Sequence, residues 1–387
     1  MRRRSEFYRG RRQKRNLAII PGVILLLIFS VGIVLFYSTQ KYAVISDDGV
    51  KVELPLLSSG SVSYDESGQE VKEFEKVNVT VQFEEADYST VKQTASGKVP
   101  PLRAIFIPYD DIDAETVTGY ANRLSSGNSL LLEVKREDGY MKWYSSTPTA
   151  TRWGLNMNSP DSKEALTAIV SQLKADGVYV IAQISCLQDY LLGSKHDIGI
   201  NVTLTDAYGN DFRDEDGRYW LDPYALLVRD YTVELVQELW DMGFDEVVLD
   251  NVCHPVVQNI ENADGSVTPG VNYSRDMSTT PSPLGAVSSF AVNVGERLAD
   301  REEGKYLSIY VHSVASLSKG DTSNGQDAGL FLKLYDRVYY DTDKYAYTFN
   351  VQDITPQCKV GDVKDRFVPV VINYLPDNSS WILIDSE

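Results

Sequence analysis

The sequence predicts an α/β fold: a parallel barrel of eight strand–helix repeats, irregular at its C-terminal end, behind one N-terminal membrane-spanning helix. Three observations carry this expectation. From Leu102 onward, short β-branched runs alternate with stretches of helical apolar spacing. Between Tyr219 and Pro255 a helix leads straight into a buried strand that ends on a carboxylate, Asp250. Leu17–Tyr37 carries no charge and falls within the roughly 17–25 residues that a helix needs to cross a bilayer.

Taken in order, residues 1–16 are a basic tail. Residues 1–15 hold eight Lys/Arg against Glu6, a net +7, so the chain total of −18 leaves −25 on the remainder. Basic residues before the span at 17–37 keep the N-terminus cytoplasmic and place the rest outside the membrane. A cleaved signal peptide is the competing reading. The long basic region and the absence of an A-x-A-like site in Ser38–Val44 favour an uncleaved anchor. Residues 38–100 read as a linker or stalk, with short strands expected at Lys41–Leu56 and Val71–Phe83. Turn-forming Ser58-Ser59-Gly60-Ser61 and Asp65-Glu66-Ser67-Gly68 lie between them.

Residues 101–387 form the expected barrel. Of the 387 residues 43% are hydrophobic, enough to fill a sizeable core. Strands are predicted at Leu102–Ile107, Ser129–Val134, Val178–Ile184, Phe244–Asp250, Tyr306–Val311, Arg337–Tyr340, Phe367–Ile372 and Trp381–Ile384. Helices are predicted at Asp113–Ser125, Asp161–Asp176, Pro223–Met242, Pro283–Asp300 and Asp327–Tyr335. The short spacing between the last two strands leaves little room for a closing helix. In the central unit, Asp222-Pro223 opens the helix, since proline and an acid both suit a first turn. Gly243 stops it, and Phe244–Asp250 follows as a buried strand.

Alternation then assigns faces. Val247 and Leu249 meet the helices; Glu246, Val248 and Asp250 point into the barrel. The same parity puts Glu133 and Lys135 inward on the second strand, Gln183 and Ser185 on the third, and Ser308, Tyr310 and His312 on the fifth. Polar groups collecting at the carboxyl ends of several strands build a pocket, because chemistry on this architecture sits there and unpaired burial is costly. The alternative is a hydrogen-bonded plug. Loops after the strands add Tyr109-Asp110-Asp111, Gln188-Asp189-Tyr190, a hairpin over Val202–Tyr219, and Asp341 and Asp343. With 24 tyrosines in the chain, many of them in these loops, the mouth combines aromatic faces with acids. Such a surface stacks on pyranose rings and holds hydroxyls.

Trp220, Asp222, Pro223, Tyr224, Gly243, Phe244, Asp245, Glu246, Asp250 and Pro255 resemble the motif of a glycoside hydrolase family of bacterial surface proteins. That family was long catalogued as a domain of unknown function. The likeness runs from about Leu102 to the C-terminus and implies a (β/α)8 TIM-type barrel and a polysaccharide substrate. Where many relatives carry Tyr, Arg and Phe after the strand, this chain has Asn251, Cys253 and His254.

The expected reaction is hydrolysis of a glycosidic bond by two carboxyl groups. Asp250 is the first choice for nucleophile or base. Asp222, Glu133 and Asp341 are candidates for the acid. Lys135, Gln183, Asp189, Trp220, Tyr310 and His312 are candidates for binding the substrate, a polysaccharide or cell-wall glycan. No cofactor or metal is expected. A non-catalytic glycan-binding barrel is the second reading, since the family's arginine after Asp250 is missing. A third is a metal-assisted hydrolase using His254, His312 and Asp250, although no HExxH-like spacing supports it. No nucleophile elbow supports a Ser or Cys mechanism. The acidic body excludes nucleic acid as the main partner. The three cysteines contain no CxxC pair and make no disulfide scaffold.

Overall fold

A computed structural model describes residues 90–123, 129–157, 159, 161–195, 199–263, 265–274, 281–312, 320–341, 365–372 and 380–384, with strand fragments at 43–46, 49–52, 63–64 and 70–71. The expected span Leu17–Tyr37 and most of Val71–Phe83 lie outside the described residues. Among those described, no helix is long and apolar enough to cross a membrane. The chain divides into two compact units, Met1–Phe83 and Glu84–Glu387. In the first, Ala43–Ser46 pairs antiparallel with Gly49–Val52 and Ser63–Tyr64 with Glu70–Val71. The expected strand over Lys41–Leu56 is therefore a hairpin.

The second unit is a closed parallel barrel. Its strands are β1 (Arg103–Ile107), β2 (Ser129–Lys135), β3 (Tyr179–Ser185), β4 (Glu246–Asp250), β5 (Tyr306–Val311), β6 (Arg337–Asp341), β7 (Phe367–Ile372) and β8 (Trp381–Ile384). They close in sequence order, with Trp381 of β8 opposite Arg103 of β1. All eight predicted strands form. The described helices longer than one turn are α1 (Ala114–Arg123), α2 (Pro148–Trp153), α3 (Lys163–Ala175), α4 (Leu226–Asp241), α5 (Pro283–Arg297) and α6 (Ala328–Leu334). Five match predictions; α2 forms after β2, where no helix is predicted. Its signals are local: Thr147 caps Ala150, Pro148 takes the first turn, and Gly154 ends it with φ +62°. Six residues are too few to show helical periodicity.

Alternation sorts the core into two layers. Leu130, Leu132, Val180, Ala182, Val247, Leu249, Leu307 and Ile309 pack outward against Leu166, Val170, Val228, Leu235, Phe290, Val294 and Phe331 of the helices. Ala104, Leu131, Ile181, Val248, Tyr310, Tyr339, Val368 and Ile382 fill the interior. Below them, at the amino-terminal end of the strands, sits an ionic plug. Glu246 pairs with Arg337, both fully buried, and accepts from Tyr179, Ser308 and Tyr339 at 2.9, 2.6 and 2.7 Å. The polar interior thus has two parts, a plug at the floor and a separate cluster at the mouth.

The chain enters from the floor. Thr94 and Ala95 bond to Lys333 O, and Ser96 N–H donates to Asp336 Oδ1. Asp336, itself 0% exposed, also holds Arg301 at 2.7 Å. These ties carry the compact unit back beyond the expected boundary at residue 101.

At the mouth a small second core of Leu204, Trp220, Cys253, Val271, Tyr273 and Ala286 is built on the Val202–Tyr219 segment. The segment expected as a hairpin makes two tight turns, Asp206–Asn210 and Asp214–Arg218. Thr205–Asp206 also pairs with Val271–Asn272 of the loop after β4.

Candidate active site

Asp250 ends β4 and sits at the centre of the mouth cluster. Its Oδ1 accepts from the Asn251 backbone N–H at 2.6 Å and faces His312 Nε2 at 2.6 Å; its Oδ2 accepts from Gln183 Nε2 at 2.7 Å. His312, one residue past β5, turns its other ring nitrogen to Asp341 Oδ2 at 3.0 Å. Tyr310 stacks on the imidazole, ring centroids 4.6 Å apart, and donates its hydroxyl to Asp341 Oδ1 at 2.6 Å. Neighbouring strand ends thus deliver one continuous network: Gln183 from β3, Asp250 from β4, Tyr310 and His312 from β5, and Asp341 from β6. Asp250 is 14% exposed at its side chain and His312 35%, so the network is lined by protein yet open at one edge.

Each nitrogen of His312 faces a carboxylate oxygen, and only the imidazolium donates from both. Burial alone lowers the pKa of this ring, but Asp250 and Asp341 outweigh it and raise it to about 10. Burial likewise pushes Asp250 up, and the His312 charge with the three hydrogen bonds outweighs it, leaving this carboxyl below the ordinary Asp range. His312 therefore supplies from β5 a cation that the missing arginine after β4 does not.

Glu133, on β2, behaves oppositely. Its Oε2 accepts from Tyr109 N–H at 3.0 Å, yet burial, with Glu137 and Asp250 adding to it, raises its pKa to about 7. A carboxyl group whose pKa is brought up to about neutrality, at the same mouth as one held ionised, is the division of labour of a general acid and a nucleophile or base.

Asn251, directly after Asp250, is the only non-glycine residue with positive φ among those described, at +52°. Its side chain donates to Ser185 Oγ at 3.0 Å, and its backbone N–H is the one aimed at Asp250. Left-handed backbone is uncommon outside glycine, with asparagine among the residues that best tolerate it, and it clusters at functional sites. Gln326, 0% exposed, locks the same region by donating to Tyr310 O and Val252 O and accepting from His312 N–H.

Four predicted site residues lie elsewhere. Lys135 leaves the inward parity because a bulge slips the register between Glu133 and itself, setting it opposite Ile184 of the outer core. Its ammonium, with its side chain 1% exposed, pairs with Asp189 at 2.8 Å, donates to Ser185 O at 2.7 Å and lies over the ring of Tyr231 in α4. Asp189 is the other half of that pair and caps the helical turn Tyr190–Gly193. A Cβ added at Gly139 (φ +85°) would stand 2.2 Å from its Oδ1, so the loop after β2 is seated on this carboxylate.

Asp222 does not open α4, which starts four residues later at Leu226. It is fully buried, accepting from Tyr224 N–H at 2.8 Å and from Ser274 N–H and Oγ at 2.9 and 2.5 Å. With one oxygen on Tyr224 of its own turn and the other on Ser274 of the loop after β4, it is a structural tie. Trp220 packs in the small second core, its indole N–H on Asp214 at 3.2 Å. Sequence reasoning missed the roles of Asn251 and Tyr109; the first signal was the asparagine directly after the strand-end acid.

His254 is not part of the network. It is buried, hydrogen-bonded to Pro255 O at 2.9 Å, and burial lowers its pKa. Among the described residues no group of three or more His, Cys, Asp or Glu is arranged to hold a metal ion. Cys186 and Cys253 are free and buried, and burial pushes both thiols far up. A groove of about 500 Å³ lies on the outer flank, lined by Arg229 of α4, α5 residues and Leu330 of α6, away from this network.

Residues 120–340 match the family described as "Putative glycosyl hydrolase domain". No curated protein matches the sequence. Among solved structures, a hypothetical protein of Ruminiclostridium thermocellum is similar at 20% identity and TM-score 0.42, covering 53% of this chain and 96% of that one. The spore cortex-lytic enzyme SleL of Bacillus cereus is similar at 13% identity and TM-score 0.36, covering 70% of this chain and 50% of its own. The GH36 α-galactosidase AgaA of Geobacillus stearothermophilus is similar at 10% identity and TM-score 0.47, covering 76% of this chain and 40% of its own.

Proposed function

This chain belongs to the glycosyl hydrolase family matched over residues 120–340, and we propose that its barrel cleaves a polysaccharide or cell-wall glycan by a two-carboxylate mechanism. What carries the reading is the meeting of two inward carboxyls at one barrel mouth. Asp250 is held by His312, Gln183 and the Asn251 N–H, and Glu133 lies two strands away in a buried setting that raises its pKa to about 7. Glu133 gives its proton to the glycosidic oxygen as that bond breaks. Asp250 attacks the anomeric carbon or takes a proton from an attacking water. As positive charge develops on the sugar ring, the Asp250 carboxylate faces it. His312, held by Asp341 and Tyr310, favours the ionised form of Asp250 that either role starts from. Metal-assisted chemistry finds less support, because His254 bonds to Pro255 and stands outside the network.

We also propose that Leu17–Tyr37 anchors the protein as a single span, with the basic tail inside and the barrel outside the cell. The uncharged run and the basic residues before it support that reading.

The test is a screen of residues 42–387 against bacterial wall glycans and plant polysaccharides, repeated with Glu133→Gln on any substrate cleaved. Product release that falls at least roughly 10² in the variant supports Glu133 as the acid. Binding without cleavage across the panel would replace the hydrolase by a non-catalytic glycan-binding barrel.

A further inference from the structure

Glu133 of β2 and Gln183 of β3 are direct partners in the strand register, and alternation turns both inward at the mouth. Gln183 is 7% exposed. Its Nε2 donates to Asp250 Oδ2, which fixes the amide's orientation, since a carboxylate oxygen only accepts. Among the described residues the buried amide oxygen then has no hydrogen-bond partner. Buried acceptors without a donor are rare in folded proteins. Across the register stands Glu133, whose burial favours the protonated carboxyl.

We infer that the missing donor is the carboxylic acid of Glu133, and that Gln183 is a positioning residue joining the protonated acid on β2 to the ionised carboxylate on β4. Glu133 Oε2 already accepts from Tyr109 N–H, so Oε1 carries the proton. The chain runs in one direction, from Glu133 O–H to Gln183 Oε1, and from Gln183 Nε2–H to Asp250 Oδ2. An amide in this place favours one proton distribution only, because it offers an acceptor to Glu133 and a donor to Asp250.

Charged and titratable groups around the pair agree with that direction. Glu133 faces Tyr109 from the loop after β1, Arg136 and Glu137 beyond β2, and Asp250 of β4. Burial and the two acids outweigh Arg136 and the Tyr109 N–H and raise its pKa to about 7. Asp250 faces His312, which in turn faces Asp341. During turnover the Glu133 O–H bond breaks, an O–H bond forms on the glycosidic oxygen, and Glu133 is left as a carboxylate. In the retaining course the water that cleaves the Asp250–glycosyl bond returns its proton to Glu133. In the inverting course Asp250 takes that proton and releases it to solvent, from which Glu133 is reprotonated, and either route restores the bond to Gln183. That consequence rests on the two-carboxylate reading; the resting hydrogen bond does not.

The experiment therefore reads the carboxyls without any glycan. The protonated-carboxyl infrared band of the full chain in detergent is titrated, with Glu133→Gln and Asp250→Asn assigning the two groups. In Gln183→Met the acid form of Glu133 loses its acceptor and Asp250 loses a donor. The Glu133 transition should move down by at least about one pH unit while that of Asp250 moves up. A purely structural glutamine would shift Asp250 alone. A Glu133 transition unchanged in Gln183→Met therefore overturns the proposal. Should Gln183→Met not fold, Gln183→Asn, whose shorter amide cannot span both carboxyls, is read by the same criterion. An inactive barrel that still shows the paired shift would sink the hydrolase and leave the hydrogen bond standing.

Discussion

Single residues here act through the company they keep. Asp250 is held in its ionised form by the His312 charge on its Oδ1, and His312 is held cationic by Asp250 on one nitrogen and Asp341 on the other. Replacing His312 by Gln keeps a donor and removes the charge. Asp250 then loses the influence that holds it below the ordinary Asp range, so the acidic limb of kcat/KM should move to higher pH. The basic limb follows Glu133, which must be protonated to act, so activity should fall as pH rises through about 7. Stability carries the same sign. The folded pKa of Glu133 lies above its unfolded value, so folding favours its protonated form. The resulting stability is present below the unfolded pKa and declines as pH rises toward about 7. In Glu133→Gln that decline should flatten in urea unfolding measured from pH 4 to 8. An unchanged slope would mean that Glu133 is not the shifted group.

At the scale of elements, the strand ends decide which residues meet. The β-branched runs, their spacing and their parity were legible without coordinates, and they placed Gln183, Tyr310, His312 and Asp250 at one mouth. Lys135 was misplaced because alternation cannot see a bulge; one extra residue at Val134 turned the lysine out of the inward parity, into its pair with Asp189. Asp222 was misread because a helix-start signal, an acid before proline, is also what a buried loop tie looks like in sequence. Its partner, Ser274, lies in the loop after β4, too far along the chain for any local pattern. The junction after β4 is where the local rule fails for a functional reason. Asn251 takes a left-handed conformation that costs most side chains roughly 1–2 kcal/mol and that asparagine and glycine bear best. Asn251→Ala should lose about that much stability and also lower turnover, since the N–H on Asp250 Oδ1 depends on that turn. Asn251→Gly, free of the strain, should recover most of the stability. Equal unfolding midpoints for the two variants would show that the backbone there is unstrained.

Across the whole barrel, floor and mouth are separate polar systems with different roles. The Glu246–Arg337 pair closes the floor beneath a layer of Leu131, Ile181 and Val248. Arg337→Met leaves Glu246 buried without its cation and should cost about 3–5 kcal/mol in denaturant unfolding, with kcat of the folded fraction nearly unchanged. A large fall in kcat at full folding would tie the plug to the reaction. The anchor is tested on cells: the protein should remain with membranes, and external protease should digest the barrel. Full-length protein in the soluble cytoplasm would contradict that placement.

The most direct measurement of the central claim is turnover by Asp250→Asn on a glycan that the unaltered protein cleaves. The substitution keeps size and most hydrogen bonding and removes the charge that the transition state meets. Because the mouth is shaped for the site more than for packing, the unfolding midpoint should stay close to that of the parent while kcat falls by roughly 10² to 10⁴. Hydrolysis undiminished in the folded variant would remove Asp250 from the mechanism, and the two-carboxylate account with it.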